Sequence, residues 1–157
     1  MKKYELTSET KIVFGHILYR IKALSSFGYV SAGDLGGFLE SEKNLSQNGN
    51  AWVSGNARVY GNAEVSGNAE VYGNAEVSKI GSIFWIGAVG SRNDTATFFR
   101  CTDGVVRVTC GCFFGNLDEF AKKVRKTHGD NDHAKVYMLA IDMAKIRIST
   151  EKEKTEE

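Results

Sequence analysis

The chain contains no proline, has almost no net charge, and nowhere assembles the run of ~18 apolar residues that crosses a bilayer as a helix. Without proline, no position inside a backbone ladder loses its N–H donor, which favours long uninterrupted pairing. With 20 Lys+Arg against 19 Asp+Glu, there is no broad positive field to grip nucleic acid or an anionic membrane surface, although a local basic pocket stays open. The opening MKKYELTSETK lacks the apolar core of a secretory signal, so the expectation is an intracellular protein. Cysteine is scarce and odd in number: Cys101, Cys110 and Cys112 point to reduced thiols rather than a disulfide framework.

What the chain does have is a repeat. GNAWVS, GNARVY, GNAEVS, GNAEVY and GNAEVS begin at Gly49, Gly55, Gly61, Gly67 and Gly73, and such self-similarity is the signature of stacked structural units. Val53, Val59, Val65, Val71 and Val77 supply one branched apolar side chain per hexad, and Ala51, Ala57, Ala63, Ala69 and Ala75 one small one. Both sets are expected to point inward. The apolar beat continues through Ile83 and Val89, which places the end of the solenoid near residue 89. Three hexads per coil would set Arg58 beside Glu76, an attractive pair, whereas two would stack Glu64 on Glu76. The alternation of Ser54, Tyr60, Ser66, Tyr72 and Ser78 has a twelve-residue period that argues for two; the charges favour three.

The flanks read differently. KIVF and ILYRIKAL surround Gly15-His16, read as a type II′ hairpin turn. A loop with Gly28, Gly33, Gly36 and Gly37 follows. After Val89, TATFFR and GVVRVTCGCFF, joined through Thr102-Asp103-Gly104, read as a second hairpin. Asn116 with Glu119 forms an N-cap and its reciprocal partner, opening a helix with Leu117, Phe120, Ala121 and Val124 on one face. A second helix, from about Asp132 to Ile148, is read with Ala134, Met138, Ile141, Met143 and Ala144 inward. The expected architecture is therefore mainly β with two C-terminal helices: an N-terminal β segment over 1–48, a left-handed parallel β-helix-like hexapeptide solenoid over 49–89, an α+β segment over 90–148, and a disordered tail over 149–157.

Hexapeptide solenoids often serve acyltransferases that use a histidine base, but His16, His128 and His133 all lie outside the repeats. The string with the most chemistry is GAVGSRNDT, Gly87 to Thr95. Its glycines permit close backbone approach, Ser91 and Thr95 offer hydroxyls, Arg92 a fork matched to phosphate, and Asn93 or Asp94 an acceptor for a ribose hydroxyl. The bland alternative is a glycine-rich turn with a surface arginine. Trp85, Phe98 and Gly111 of the CGCFFG strand complete a possible ligand pocket with rings for base stacking. The loop THGDNDH brings His128 and His133 near one another, although helix capping accounts for most of it. Cys110-Gly111-Cys112 lacks the second pair of a structural zinc site, so no metal and no cofactor are expected. Trp52, Tyr60, Tyr72 and Trp85 could form an aromatic strip, or could pack against a neighbouring segment.

YELTSETK, LYRIKAL and GDLGGFLESEKNLSQ followed by the GNA repeats, then GSRNDTATFF and VTCGCFFGNLDEFAKKVRKTHGD, together resemble a group of small phage and prophage accessory proteins. The resemblance spans nearly the whole chain and carries over no reaction or site residues. It implies a viral protein of the host cytoplasm and, by class, an inhibitor of bacterial immunity. Three functions compete. The leading one is a non-enzymatic anti-defence protein that sequesters a nucleotide-derived immune signal, built as a homo-oligomer (dimer or trimer) because the open ends of a short solenoid need covering. The second is an inhibitor that binds a host defence protein such as a CRISPR or other nuclease. The third is an enzyme that degrades the signal.

Overall fold

The computed structural model describes residues 2–148; the expected tail over 149–157 lies outside the described residues. Strands β1 (Tyr4–Val13) and β2 (His16–Ala23) form an antiparallel hairpin. Val13 faces His16 across the turn, so the two-residue connection is Phe14-Gly15 rather than Gly15-His16. Both residues have positive φ, +48° and +84°, which makes the turn type I′ instead of type II′. Phe14 bears a backbone conformation that asparagine adopts more readily. Phe14→Asn is therefore expected to stabilise the protein by roughly 0.5–1 kcal/mol, read as a higher melting temperature.

Strand β3 (Leu35–Leu39) runs antiparallel to β2 and occupies part of the stretch read as a loop. Gly36 and Gly37 sit inside this strand because the repeat backbone passes so close that no Cβ fits: one at Gly37 would fall 2.6 Å from the Ala57 carbonyl. The repeats contribute four strands of two residues each: β4 (Trp52–Val53), β5 (Arg58–Val59), β6 (Glu70–Val71) and β7 (Glu76–Val77). β5 joins β3 in parallel and β7 joins β5, completing a five-stranded sheet in the order β1-β2-β3-β5-β7, while β4 and β6 pair in parallel on their own.

The expectation of a β-helix-like solenoid is thereby corrected. The repeats build no solenoid of their own; their strands are spread over a mixed sheet, whose first three members are antiparallel, and a separate two-stranded one. Two residues per strand give too few ladder bonds to close an independent wall, so the flanking strands complete the sheet. Within this arrangement all five valines and all five alanines of the repeats are buried. Arg58 lies in register with Glu76 and its guanidinium is 3.6 Å from the carboxylate, which also accepts a hydrogen bond from the Tyr60 hydroxyl at 2.9 Å.

The last strand of the repeats stops at Val77. Ile83 and Val89 belong instead to β8 (Ile83–Val89), the edge of an antiparallel sheet with β9 (Asp94–Arg100), β10 (Val106–Cys110) and β11 (Phe113–Asn116), in the order β11-β10-β9-β8. Helix α1 (Leu117–His128) opens with the expected capping box, Asn116 and Glu119 each accepting from the other's backbone N–H. Helix α2 (Asp132–Arg147) follows Asn131 as its cap. A second core gathers Phe98, Val106 and Val108 of the sheet with Phe120 and Val124 of α1 and Tyr137, Ile141 and Ala144 of α2. Met143, expected inward, is on the outer face of α2.

The chain covers the ends of its own repeats. Leu45 pairs with Val65 on the N-terminal side. On the other side Ala75 bridges Cys101, and the Thr102 N–H donates to the Asn74 carbonyl at 2.9 Å. The open-edge argument for an oligomer is met within one copy. Among the described residues no helix is long and apolar enough to cross a membrane.

Candidate functional site

A cleft of about 700 Å³ opens where three parts of the chain converge. One wall is the loop before and at the start of β3, with Tyr29, Asp34 and Leu35. The floor is the outer surface of the β4–β6 pair, with Asn50, Trp52, Ser54, Asn68, Glu70 and Tyr72. The far wall is the C-terminal sheet, with Asn93, Asp94 and Thr95 at the start of β9 and Thr109, Gly111, Cys112, Phe113 and Phe114 around the β10–β11 turn.

The floor is fixed by two buried threonines. The Glu70 N–H donates to Thr97 Oγ1 at 3.0 Å, and the Thr109 hydroxyl donates to the Glu70 carbonyl at 2.7 Å. These bonds stand in for a further strand along the free edge of β6 and hold Glu70 with its carboxylate toward the cleft. Glu70 stays exposed to solvent, but the partial desolvation these walls impose pushes its carboxyl above its ordinary value, and the neighbouring Asp94 charge adds to the rise. Asp94 is in turn set by Gly111: with φ at +58°, Gly111 turns β10 into β11, and a Cβ there would sit 3.2 Å from Asp94 Oδ2. The rings are ordered as well. Tyr72 packs edge-on to Phe114 with centroids 5.0 Å apart, and Trp52 edge-on to Phe27 at 5.3 Å. Tyr29 is 93% exposed at the rim.

The lining is acidic and aromatic. It carries three carboxylates, Asp34, Glu70 and Asp94, and among the described residues none that lines it is lysine, arginine or histidine.

Of the residues singled out in the sequence, the structure brings Asn93, Asp94, Thr95 and Gly111 together on one wall of this cleft. Ser91 and Arg92 are exposed on the β8–β9 turn, outside the lining. That turn has its own reasons for glycine: Gly90 has φ of +75°, and a Cβ on it would run into the Tyr137 hydroxyl. Phe98 is fully buried between Phe84 and Phe120, where no ligand can reach its face. Trp85 belongs to a smaller cleft of about 310 Å³ with Glu64, Phe84 and Arg147. His128 and His133 lie 5.3 Å apart, with His128 stacked on Tyr137, and neither lines either cleft. The aromatic strip is not continuous: Trp52 and Tyr72 share the main cleft, while Tyr60 is buried against His16 and Glu76.

Burial raises Cys101 and Cys110 above the ordinary thiol value, and Cys110 lies 3.8 Å from the Tyr137 hydroxyl. Among the described residues no three His, Cys, Asp or Glu side chains converge as a metal-binding group. Compared with known proteins, the chain matches no family model and no curated protein.

Proposed function

We infer that the protein is a non-catalytic binding protein whose cleft takes the nucleoside part of a small ligand, with the base against the aromatic rings and the sugar hydroxyls on the carboxylates. The observation that carries this reading is the lining itself: aromatic side chains beside Asp34, Glu70 and Asp94, with no cation among them. Carboxylates accept hydrogen bonds from sugar hydroxyls and base amino groups, and a base stacked on an aromatic ring gains ~1–3 kcal/mol. The same carboxylates repel phosphate, because like charges in a partly enclosed space are weakly screened. Arg92 stands outside the lining, so the reading moves from phosphate capture to recognition of base and sugar. The role as a sponge for an immune signal in the host cytoplasm draws its support from the resemblance to phage proteins.

Calorimetry with adenosine, its monophosphate and a cyclic dinucleotide tests the reading. Adenosine is expected to bind most tightly and affinity to fall as phosphate is added; a preference for the cyclic dinucleotide, or no heat with any of the three, would sink it. Arg92→Ala is expected to leave adenosine binding unchanged. Glu70→Gln is expected to weaken it roughly tenfold to a hundredfold, the loss of a charge-assisted hydrogen bond.

The same Glu70→Gln variant should be the more stable protein without ligand. The folded-state pKa of Glu70 is raised above its ordinary 4.5, so the folded state holds the proton more tightly than the unfolded one. Above that raised value the ionised carboxylate costs stability; below the ordinary value both states are protonated and the cost is gone. Glu70→Gln is therefore expected to raise the melting temperature at neutral pH, and the gain to vanish as pH falls through the carboxylate range.

A further inference from the structure

The rings and the carboxylates of the main cleft stand on the same few elements. Trp52 of β4 lies opposite Glu70 of β6 in the parallel register, and Tyr72, two residues on from Glu70, shares its face because side chains alternate along an extended strand. Tyr72 meets Phe114 at an interplanar angle of 83° with centroids 5.0 Å apart, so the two ring planes form a corner. Both rings are open to solvent, Tyr72 at 46% and Phe114 at 40%.

The acids beside this corner have no counter-charge. Among the described residues neither the Glu70 nor the Asp94 carboxylate takes part in a hydrogen bond or an ion pair. Elsewhere the chain does supply partners: Glu76 has Arg58 and Tyr60, and Asp103 has Arg107 at 2.9 Å. Partial desolvation and then the Asp94 charge lift the Glu70 carboxyl above its ordinary value, as two anions left facing one another require.

We propose, resting on the nucleoside reading above, that the base this cleft takes carries a positive charge: a purine methylated on a ring nitrogen, set against Tyr72 and Phe114 with Glu70 and Asp94 as its counter-charges. A cation is drawn to the negative face of an aromatic ring. A neutral base would stack on the same rings and leave the repulsion between Glu70 and Asp94 in place, whereas a cationic base relieves it, so the rings supply stacking and the carboxylates supply the preference. No lysine, arginine or histidine lines the cleft to compete for them. A metal ion suits the lining less well. Magnesium and calcium take about six or more oxygen ligands, and among the described residues no three His, Cys, Asp or Glu side chains converge. A charge spread over a flat ring system needs no such cage and matches ring faces with acids at their edge.

Calorimetry on the full chain with adenosine, 1-methyladenosine and N6-methyladenosine at neutral pH tests the charge alone. The last two are isomers with one added methyl group each, the first cationic at that pH and the second neutral. 1-Methyladenosine is expected to bind roughly tenfold or more tightly than its isomer and than adenosine, and the excess to shrink as ionic strength rises. In Glu70→Gln and in Asp94→Asn, each checked for folding by its melting temperature, the ratio between the isomers should fall towards one. Tyr72→Leu should weaken both isomers. If adenosine binds and the two isomers bind alike, the cationic base is overturned and the nucleoside reading stands. An isomer ratio that neither carboxylate variant moves overturns the assignment of the charge to Glu70 and Asp94. No heat with any of the three nucleosides overturns both readings.

Discussion

Val65→Asp is expected to abolish soluble expression. Val65 is 1% exposed and sits at the centre of the repeats. Its N–H donates to the Asn44 carbonyl and its own carbonyl accepts from Ser46, both at 2.9 Å. The backbone is therefore held from the N-terminal side and cannot turn the side chain outward. An aspartate here loses the valine's packing and brings a carboxyl group into a space lined by valine and alanine, where it must either stay charged without a partner or take up a proton at neutral pH. Either course costs on the order of 4–5 kcal/mol, a large share of the ~5–15 kcal/mol that holds a domain together. Glu64→Lys, one residue earlier and exposed, supplies the control and should change stability by less than about 0.5 kcal/mol. Comparable expression and melting of Val65→Asp and Glu64→Lys would show that the interior of the repeats is not the core described above.

The inward valines and alanines were legible because a hexad states the same demand five times. What the repeats join was not legible, because sheet membership depends on partners far along the chain. The hexads from Gly49 to Ser78 carry no mark that β5 will continue a sheet begun at Tyr4, or that β6 will lose its free edge to Thr97 and Thr109. The three glutamates show the limit most clearly. Glu64, Glu70 and Glu76 occupy the same place in three hexads, yet Glu64 is exposed in the smaller cleft beside Trp85, Glu70 is exposed on the floor of the main cleft, and Glu76 is buried against Arg58 and Tyr60. Only the pairing of Arg58 with Glu76 could be foreseen, from opposite charges three hexads apart.

The candidate site was half legible for a related reason. Gly87 to Thr95 stood out by composition, and its last three residues do line the cleft. Of the residues that give the cleft its character, Glu70, Asp34 and Tyr29 come from segments whose sequence offered no chemical signal, and Tyr72 is marked only as part of an aromatic strip. Arg92 drew attention as a phosphate fork, but the turn that carries it is shaped by Gly90 against Tyr137 and by Asn93 at φ of +55°. Composition reports which groups a segment offers; only the packing of β6 against β9 and β10 decides which of them face one another.

Gly36→Ala, a change of one methyl group, is expected to lower the melting temperature by roughly 10 °C, because ~3 kcal/mol of overpacking acts on a domain whose midpoint moves about 2–4 °C per kcal/mol. The added Cβ would lie 2.6 Å from both Ile21 Cγ1 and the Val53 carbonyl oxygen, and 2.7 Å from Trp52 Cζ2. A flexible side-chain tip could move aside; a strand carbonyl and an indole ring wedged between Phe27 and Tyr4 cannot do so without disturbing their own contacts. Gly33→Ala separates this effect from backbone strain. Gly33 has φ of +95° with open space around it, so alanine there should cost only about 1–2 kcal/mol from its conformation. Trp52 lies on the floor of the cleft, and displacing its ring should also weaken adenosine binding in Gly36→Ala, whereas Gly33→Ala should bind normally. Equal melting temperatures for the two variants would show that β3 does not approach the repeats as closely as this packing requires, and normal binding by both would detach Trp52 from the site.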